Sequence, residues 1–327
     1  MKRIFSGIQP TGILHLGNYL GAIKQWVDLQ HKVDESIFCV VDLHAITVDR
    51  DPKLPENILN VAAWYLACGV DLEQSQIFVQ SMRSEHTELA WILNCFATMG
   101  ELGRMTQYKE KSEGKRDMVS VGLFDYPILM AADILLYGAT DVPVGDDQKQ
   151  HVELARDLAI RFNNKYGNVF TVPEPIIRED VQRVKGLDNP EKKMAKSAGS
   201  EYNYIALSDE PDVVRKKISR AVTDSGSEIV ARDDKPAMTN LLNIFSGISG
   251  RDIKSLEADF VGKGYGDFKN ALAEEIILFL EPKQAKYKEI IADKDKLRKI
   301  LTDGAKSVQP VAQKTLVEVK KKIGLGI

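Results

Sequence analysis

The sequence is poor in the residues that build metal centres and disulfide frameworks. Its three cysteines, Cys39, Cys68 and Cys95, stand singly in apolar surroundings, and its five histidines are scattered. Neither set has zinc-ligand spacing. The cysteines fit buried free thiols in a reducing compartment. Long apolar runs are also missing: none reaches membrane-spanning length, and no signal-peptide core precedes the first strand pattern. There is no internal repeat and no low-complexity segment. Net charge is −3, which excludes a uniformly basic nucleic-acid coat but leaves room for local basic patches.

What is present is a chain of 327 residues with ordinary apolar and charged fractions, long enough for two domains. Residues 2–6 read as a short strand. Gly7, Pro10 and Gly12 then break regular structure, and Leu20, Ile23 and Val27 give the following helix an apolar face. Strand, glycine-punctuated loop and helix N-terminus together suit either a phosphate or a plain structural turn. The run is neither a Walker A motif nor a dinucleotide fingerprint. Gln9, Thr11, His15 and Asn18 make the loop more polar than a simple linker requires.

The rhythm continues with a fully buried strand over 36–41 that ends at Asp42, Leu43 and His44. A helix over 55–69, a strand over 76–80 and a helix over 87–105 follow. This alternation implies βαβ units and a doubly wound parallel sheet. Residues 104–117 read as a loop with excess positive charge, either simply solvated or reaching toward phosphates. Residues 127–137 read as a buried helix with Asp133 in its middle, which needs a donor: a structural partner or a ligand N–H such as that of an indole. Asp141 to His151 reads as a short strand, a turn at Gly145 and a helix capped by Asp146 or Asp147. The Asp-Asp-Gln cluster there suits a ribose, an ammonium group or hydrated magnesium. After a proline-containing link over 172–190 come Lys192 to Gly199, a lysine-rich loop. Helices over 209–223, 238–249, 266–280, 283–302 and 304–323 then make a helical C-terminal part, with basic stretches at 215–217 and 320–322.

In order along the chain, these stretches resemble the class I aminoacyl-tRNA synthetases, and among them the bacterial tryptophanyl branch. His-Leu-Gly-Asn at 15–18 is similar to the HIGH signature, and Lys-Met-Ala-Lys-Ser at 193–197 to the KMSKS signature. Gly-Ile-Gln-Pro-Thr-Gly, Gly-Glu-Leu-Gly-Arg-Met-Thr-Gln-Tyr-Lys-Glu-Lys, Met-Ala-Ala-Asp-Ile-Leu-Leu-Tyr and Pro-Val-Gly-Asp-Asp-Gln-Lys-Gln-His complete the match over essentially the whole length.

The resemblance implies a Rossmann-like α/β domain over 1–190, with dimer-interface helices at about 85–165. The lysine loop and a helical anticodon-binding domain would span 191–327. It implies activation of L-tryptophan by Mg2+-bound ATP, then transfer to the 3′ end of its tRNA, by a cytoplasmic homodimer that needs no membrane and no resident metal. By the same resemblance, Gln9, Pro10, Thr11, Gly17, Asn18, Gly145, Asp146, Asp147 and Val184 would hold ATP, with His15 near the phosphates. Lys193, Met194, Ala195, Lys196 and Ser197 would close on the pyrophosphate moiety, and Lys111 would reach in. Asp133 would accept the indole N–H in a pocket of Phe5, Gly7, Tyr126, Met130, Val142 and Val144, with His44 and Gln148 at its polar end. Ala195 replaces the usual serine. Rival readings are a tyrosyl enzyme, whose pocket would need partners for a phenol, a nucleotidylyltransferase, which leaves the helical C-terminal part unexplained, and a non-catalytic relative, which the paired lysines disfavour.

Overall fold

The computed structural model describes residues 1–47, 51–112, 120–177, 184–196 and 199–326, without the side chains of 110–112 and 146. Five strands, β1 (Arg3–Ile8), β2 (Glu35–Val40), β3 (Ser75–Val79), β4 (Asp141–Pro143) and β5 (Glu174–Ile176), form one parallel sheet in the order β3-β2-β1-β4-β5. Ile37, Phe38, Cys39 and Val40 are all fully buried, as expected of a strand covered on both faces. Successive strands step one way from β1 to β3. The chain then returns to the other side of β1 for β4 and β5. The strand order therefore reverses between β1 and β4, and the loops that leave these strands flank a crevice there.

The helical segments Leu16–Asn18, Tyr19–Ile23 and Lys24–Leu29 run on from one another as one helix, α1, with a π-helical middle turn. Then come α2 (Asp42–Ala45), α3 (Leu54–Ala67), α4 (Glu85–Asn94), α5 (Met99–Gly103), α6 (Thr106–Ser112), α7 (Val121–Leu136) and α8 (Lys149–Tyr166). The C-terminal half adds α9 (Pro211–Arg220), α10 (Pro236–Ser249), α11 (Ile253–Asp259), α12 (Tyr265–Ala292) and α13 (Lys294–Ile323). No helix among the described residues is long and apolar enough to cross a membrane.

Five expectations need correction. The single helix expected over 87–105 is two helices, because Thr98 and Glu101 form a capping box that restarts the chain as α5. Residues 106–112, expected as a loop, are helical. The link over 172–190 contains the short strand β5. The breaks expected after 280 and 302 are absent. Pro282 and Pro310 lie inside α12 and α13, and the chain turns instead at Asp293, whose carboxylate accepts from Lys296 N–H at 2.9 Å. Finally, Cys39 and Cys68 are buried, but Cys95 is exposed.

The long helix α13 packs against β3. Its Leu297 and Leu301 belong to the core on one side of the sheet, and Ala305, Val308 and Ala312 to the core on the other. Gly304 lies between these two sets. A Cβ there would overlap the Ile77 carbonyl, so only glycine permits this approach.

Candidate active site

The loop after β1 is shaped by glycine. Gly12 has φ +112°, and Lys196 Nζ fills the space a Cβ would take. Thr11 N–H donates to Gln9 O at 2.9 Å, and His15 N–H to Asn18 Oδ1 at 3.0 Å. His15 precedes α1 and is buried, with no partner on Nδ1 among the described residues. Burial first, and then the Lys193 charge, drive its pKa down to about 4. The imidazole is therefore neutral at pH 7.

The lysine loop is held over this first loop by backbone bonds and two buried amides. Leu16 N–H donates to Ile205 O, and Leu207 N–H to Leu14 O, each at 2.9 Å. Met194 N–H reaches Val184 O at 3.1 Å, and Gly186 N–H reaches Lys192 O at 2.9 Å. Asn203 Oδ1 accepts from Ala195 N–H at 2.9 Å, and Asn240 brackets both backbone groups of Lys185. The lysines then point back across the crevice. Lys193 Nζ is 3.1 Å from Asp147 Oδ1, and Lys196 Nζ donates to Thr11 O at 3.4 Å.

At the other end lies Asp133, which is 1% exposed. Its oxygens meet His86 Nδ1 at 2.6 Å, His44 Nε2 at 2.8 Å and Gln80 Nε2 at 2.7 and 2.9 Å. Burial alone would raise its pKa. The hydrogen bonds from His44 and His86 outweigh that and hold the carboxyl below its usual value. Phe5, Val142 and Val144 share one apolar core with partly buried Met130, and Tyr126 is buried too. A Cβ on Gly7 would press on Cys39 O at 2.7 Å, so this strand position needs glycine. Tyr126 Oη lies 2.8 Å from His151 Nε2 and donates to Gln107 Oε1 at 3.0 Å. Gln107 in turn faces Asp147.

A family model for class I tRNA synthetases (W and Y) matches residues 1–281. A tryptophan–tRNA ligase of Wolinella succinogenes is 50% identical over 325 residues, 99% of each chain. That of Caldanaerobacter subterraneus is 51% identical over 327 residues, again 99% of each. The chain belongs to the tryptophan–tRNA ligase family of class I tRNA synthetases. Tryptophanyl-tRNA synthetase from Mycoplasma pneumoniae matches the fold with TM-score 0.93 at 37% identity, covering 100% of this chain and 98% of that one. The Campylobacter jejuni enzyme, solved with ADP and tryptophan, gives 0.82 at 39%, covering 99% and 100%. A tyrosyl enzyme from Archaeoglobus fulgidus, at 22% and 0.68, shares the fold alone.

Within this synthetase, the crevice gathers Gln9, Thr11, His15, Gly17, Asp147, Val184, Lys193, Met194 and Lys196 around the two loops. Met194 is buried where it packs toward Gly17. Pro10 and Asn18 belong to the first loop and its helix start, and Gly145 opens the turn after β4. Ser197 and the side chains of Lys111 and Asp146 lie outside the described residues. Asp147 does not hold the cap position of α8: Gln148 precedes the helix without a capping bond of its own, and its amide donates to Asp147 Oδ2 at 3.0 Å. The short helical turn Asp146–Gln148 comes between strand and helix, so Asp147 turns toward Lys193 instead. Gln80, His86, Gln107, Tyr137, His151, Asn203 and Asn240 are site-building residues that the sequence reading missed. All are single polar residues far apart in the chain. Gln107, Tyr137 and His151 stood within quoted motifs but without a role assigned to them.

Proposed function

We propose that this enzyme activates L-tryptophan with ATP, forming tryptophanyl-adenylate and pyrophosphate, and then passes the tryptophanyl group to the 3′ end of its tRNA. The observation that carries this reading is full-length identity of about half to tryptophan–tRNA ligases, with both signature loops facing each other across the crevice. The tryptophan carboxylate attacks the α-phosphate in line. No protein nucleophile is needed, and the chain contributes position and charge stabilisation. Lys193 and Lys196 lie where they can follow negative charge onto the leaving pyrophosphate. Neutral His15 offers the phosphates a hydrogen bond without a second fixed charge.

ATP brings Mg2+ with it, and the helical C-terminal part reads the anticodon. Asp133 accepts the indole N–H in exchange for one of its present donors. The division near residue 190, into catalytic and anticodon-binding parts, belongs to this same reading. So does work in the cytoplasm as a homodimer. Its interface lies among the helices at about 85–165, where Trp91, Met99 and Val121 are exposed apolar side chains.

The test is ATP–pyrophosphate exchange with each of the twenty amino acids in turn. Exchange with tryptophan alone is expected. Exchange with tyrosine would keep the chemistry and overturn the pocket, and silence with all twenty would overturn the activity.

A further inference from the structure

Behind the amino-acid end of the site, three fully buried polar side chains from separate elements close on Asp133. Gln80 follows β3, His86 lies in the first turn of α4, and Tyr137 ends α7. Tyr137 Oη is 2.8 Å from His86 Nε2, and His86 Nδ1 is 2.6 Å from Asp133 Oδ1. A carboxylate only accepts, so His86 Nδ1 carries the proton. On a neutral ring Nε2 is then a bare acceptor, and the Tyr137 hydroxyl donates to it. Burial pushes the Tyr137 phenol pKa up, so that proton stays in place. The three groups thus form one hydrogen-bonded relay, Tyr137–His86–Asp133.

Its two ends differ in surroundings. The Tyr137 ring stacks on Phe5 with centroids 5.5 Å apart, and Phe78 packs edge-on to it. His44, which shares Oδ2 with the Gln80 amide, lies edge-on to Tyr126 instead. Oδ1 is therefore tied back into the core, while His44 on Oδ2 stands beside a residue expected to line the pocket. Rotation of a carboxylate about its last bond is soft and nearly two-fold. A donor chain tied to one oxygen removes that freedom.

We propose that His86 and Tyr137 are positioning residues for tryptophan specificity: the relay fixes the plane of the Asp133 carboxylate so that Oδ2 can exchange His44 for an indole N–H. This rests on the reading of Asp133 given under Proposed function. A site organised around an N–H donor rejects an analogue without one far more strongly than an apolar slot does.

The experiment compares tryptophan with β-(3-benzothienyl)alanine, in which sulfur replaces the indole N–H. Exchange kinetics are measured for the full-length enzyme and for Tyr137→Phe, His86→Asn and His86→Leu, each normalised by its burst of adenylate formation. The unsubstituted enzyme is expected to prefer tryptophan by a factor on the order of ten thousand. Tyr137→Phe should shrink that preference about tenfold through the tryptophan KM, with the ATP KM held within about twofold. His86→Asn keeps an N–H near Oδ1 and should retain more of the preference than His86→Leu. If the enzyme discriminates and Tyr137→Phe keeps the full ratio, the relay is only structural and the proposal falls. If the unsubstituted enzyme fails to discriminate, the Asp133 reading itself falls and takes the proposal with it.

Discussion

Lys193 Nζ and Asp147 Oδ1 are 3.1 Å apart, although 46 residues separate them in sequence. The pair joins the lysine loop to the turn after β4 and spans the crevice opposite the first loop. Both side chains are partly exposed, so the bond is worth no more than about 1 kcal/mol to stability. Its weight lies in where it leaves the ammonium group. Lys193→Ala should therefore slow adenylate formation about 10²–10³-fold while shifting unfolding free energy by less than about 1 kcal/mol. Exchange rates and urea denaturation of the same preparation check the two halves together.

Asp133→Asn should raise the tryptophan KM sharply and leave the ATP KM nearly unchanged. It should also destabilise the fold by about 3 kcal/mol, because three donors then face a neutral amide that is itself partly a donor. Exchange kinetics and chemical denaturation measure these effects, and an unchanged tryptophan KM would sink the assignment.

The fold should lose stability through His15 as pH falls. Its folded pKa, about 4, is below the ordinary 6.5. Between those values the unfolded chain takes up a proton that the folded chain refuses. Nothing is lost above pH 6.5, and about 3 kcal/mol is lost by pH 4. Carboxylates with lowered pKa values act in the same direction near the acid end, so the informative quantity is a difference. Unfolding free energy of the unsubstituted protein minus that of His15→Gln should fall by this amount across the window.

Asn203 is 1% exposed, and its side-chain oxygen accepts the Ala195 N–H. Asn203→Ala should loosen the lysine loop and raise the ATP KM about tenfold, with the tryptophan KM little changed. Ala195→Ser should by contrast alter adenylate formation less than tenfold, since one hydroxyl is worth roughly 1 kcal/mol. Steady-state kinetics with each substrate varied separates the two.

If the proposed homodimer forms through the helices at about 85–165, Trp91→Glu should convert it to a monomer in sedimentation, because it puts a charge in place of an exposed apolar side chain of α4. A sedimentation coefficient unchanged from the parent protein would place the interface elsewhere.

Much of this was legible in the sequence because its signals are local. The buried strand at 36–41, the helix at 55–69 and the two signature loops are each set by contiguous residues. The break in the helix expected over 87–105 was legible too: Thr98 and Glu101 have capping-box spacing, a signal that the apolar periodicity on either side obscured. Strand β5 spans only Glu174–Ile176, too few residues for an alternating pattern to declare itself. Pro282 invited a helix break that α12 runs through. The partners of Asp133 were out of reach for another reason. His44, Gln80 and His86 lie 89, 53 and 47 residues away, and nothing in the chain relates them until the sheet has formed.

The glycine at 304 has a consequence for how this molecule behaves outside its own fold. β3 is the outermost strand on its side, and such a strand is an open template for pairing with another chain. By crossing that strand at its backbone, the last helix shields it, with Leu301 gripping one face and Ala305 the other. The thirty residues of α13 are thus a guard against edge-to-edge aggregation as well as part of a helical array. A chain cut before Lys294 would present a bare strand flanked by apolar surface, and self-association would be its readiest escape.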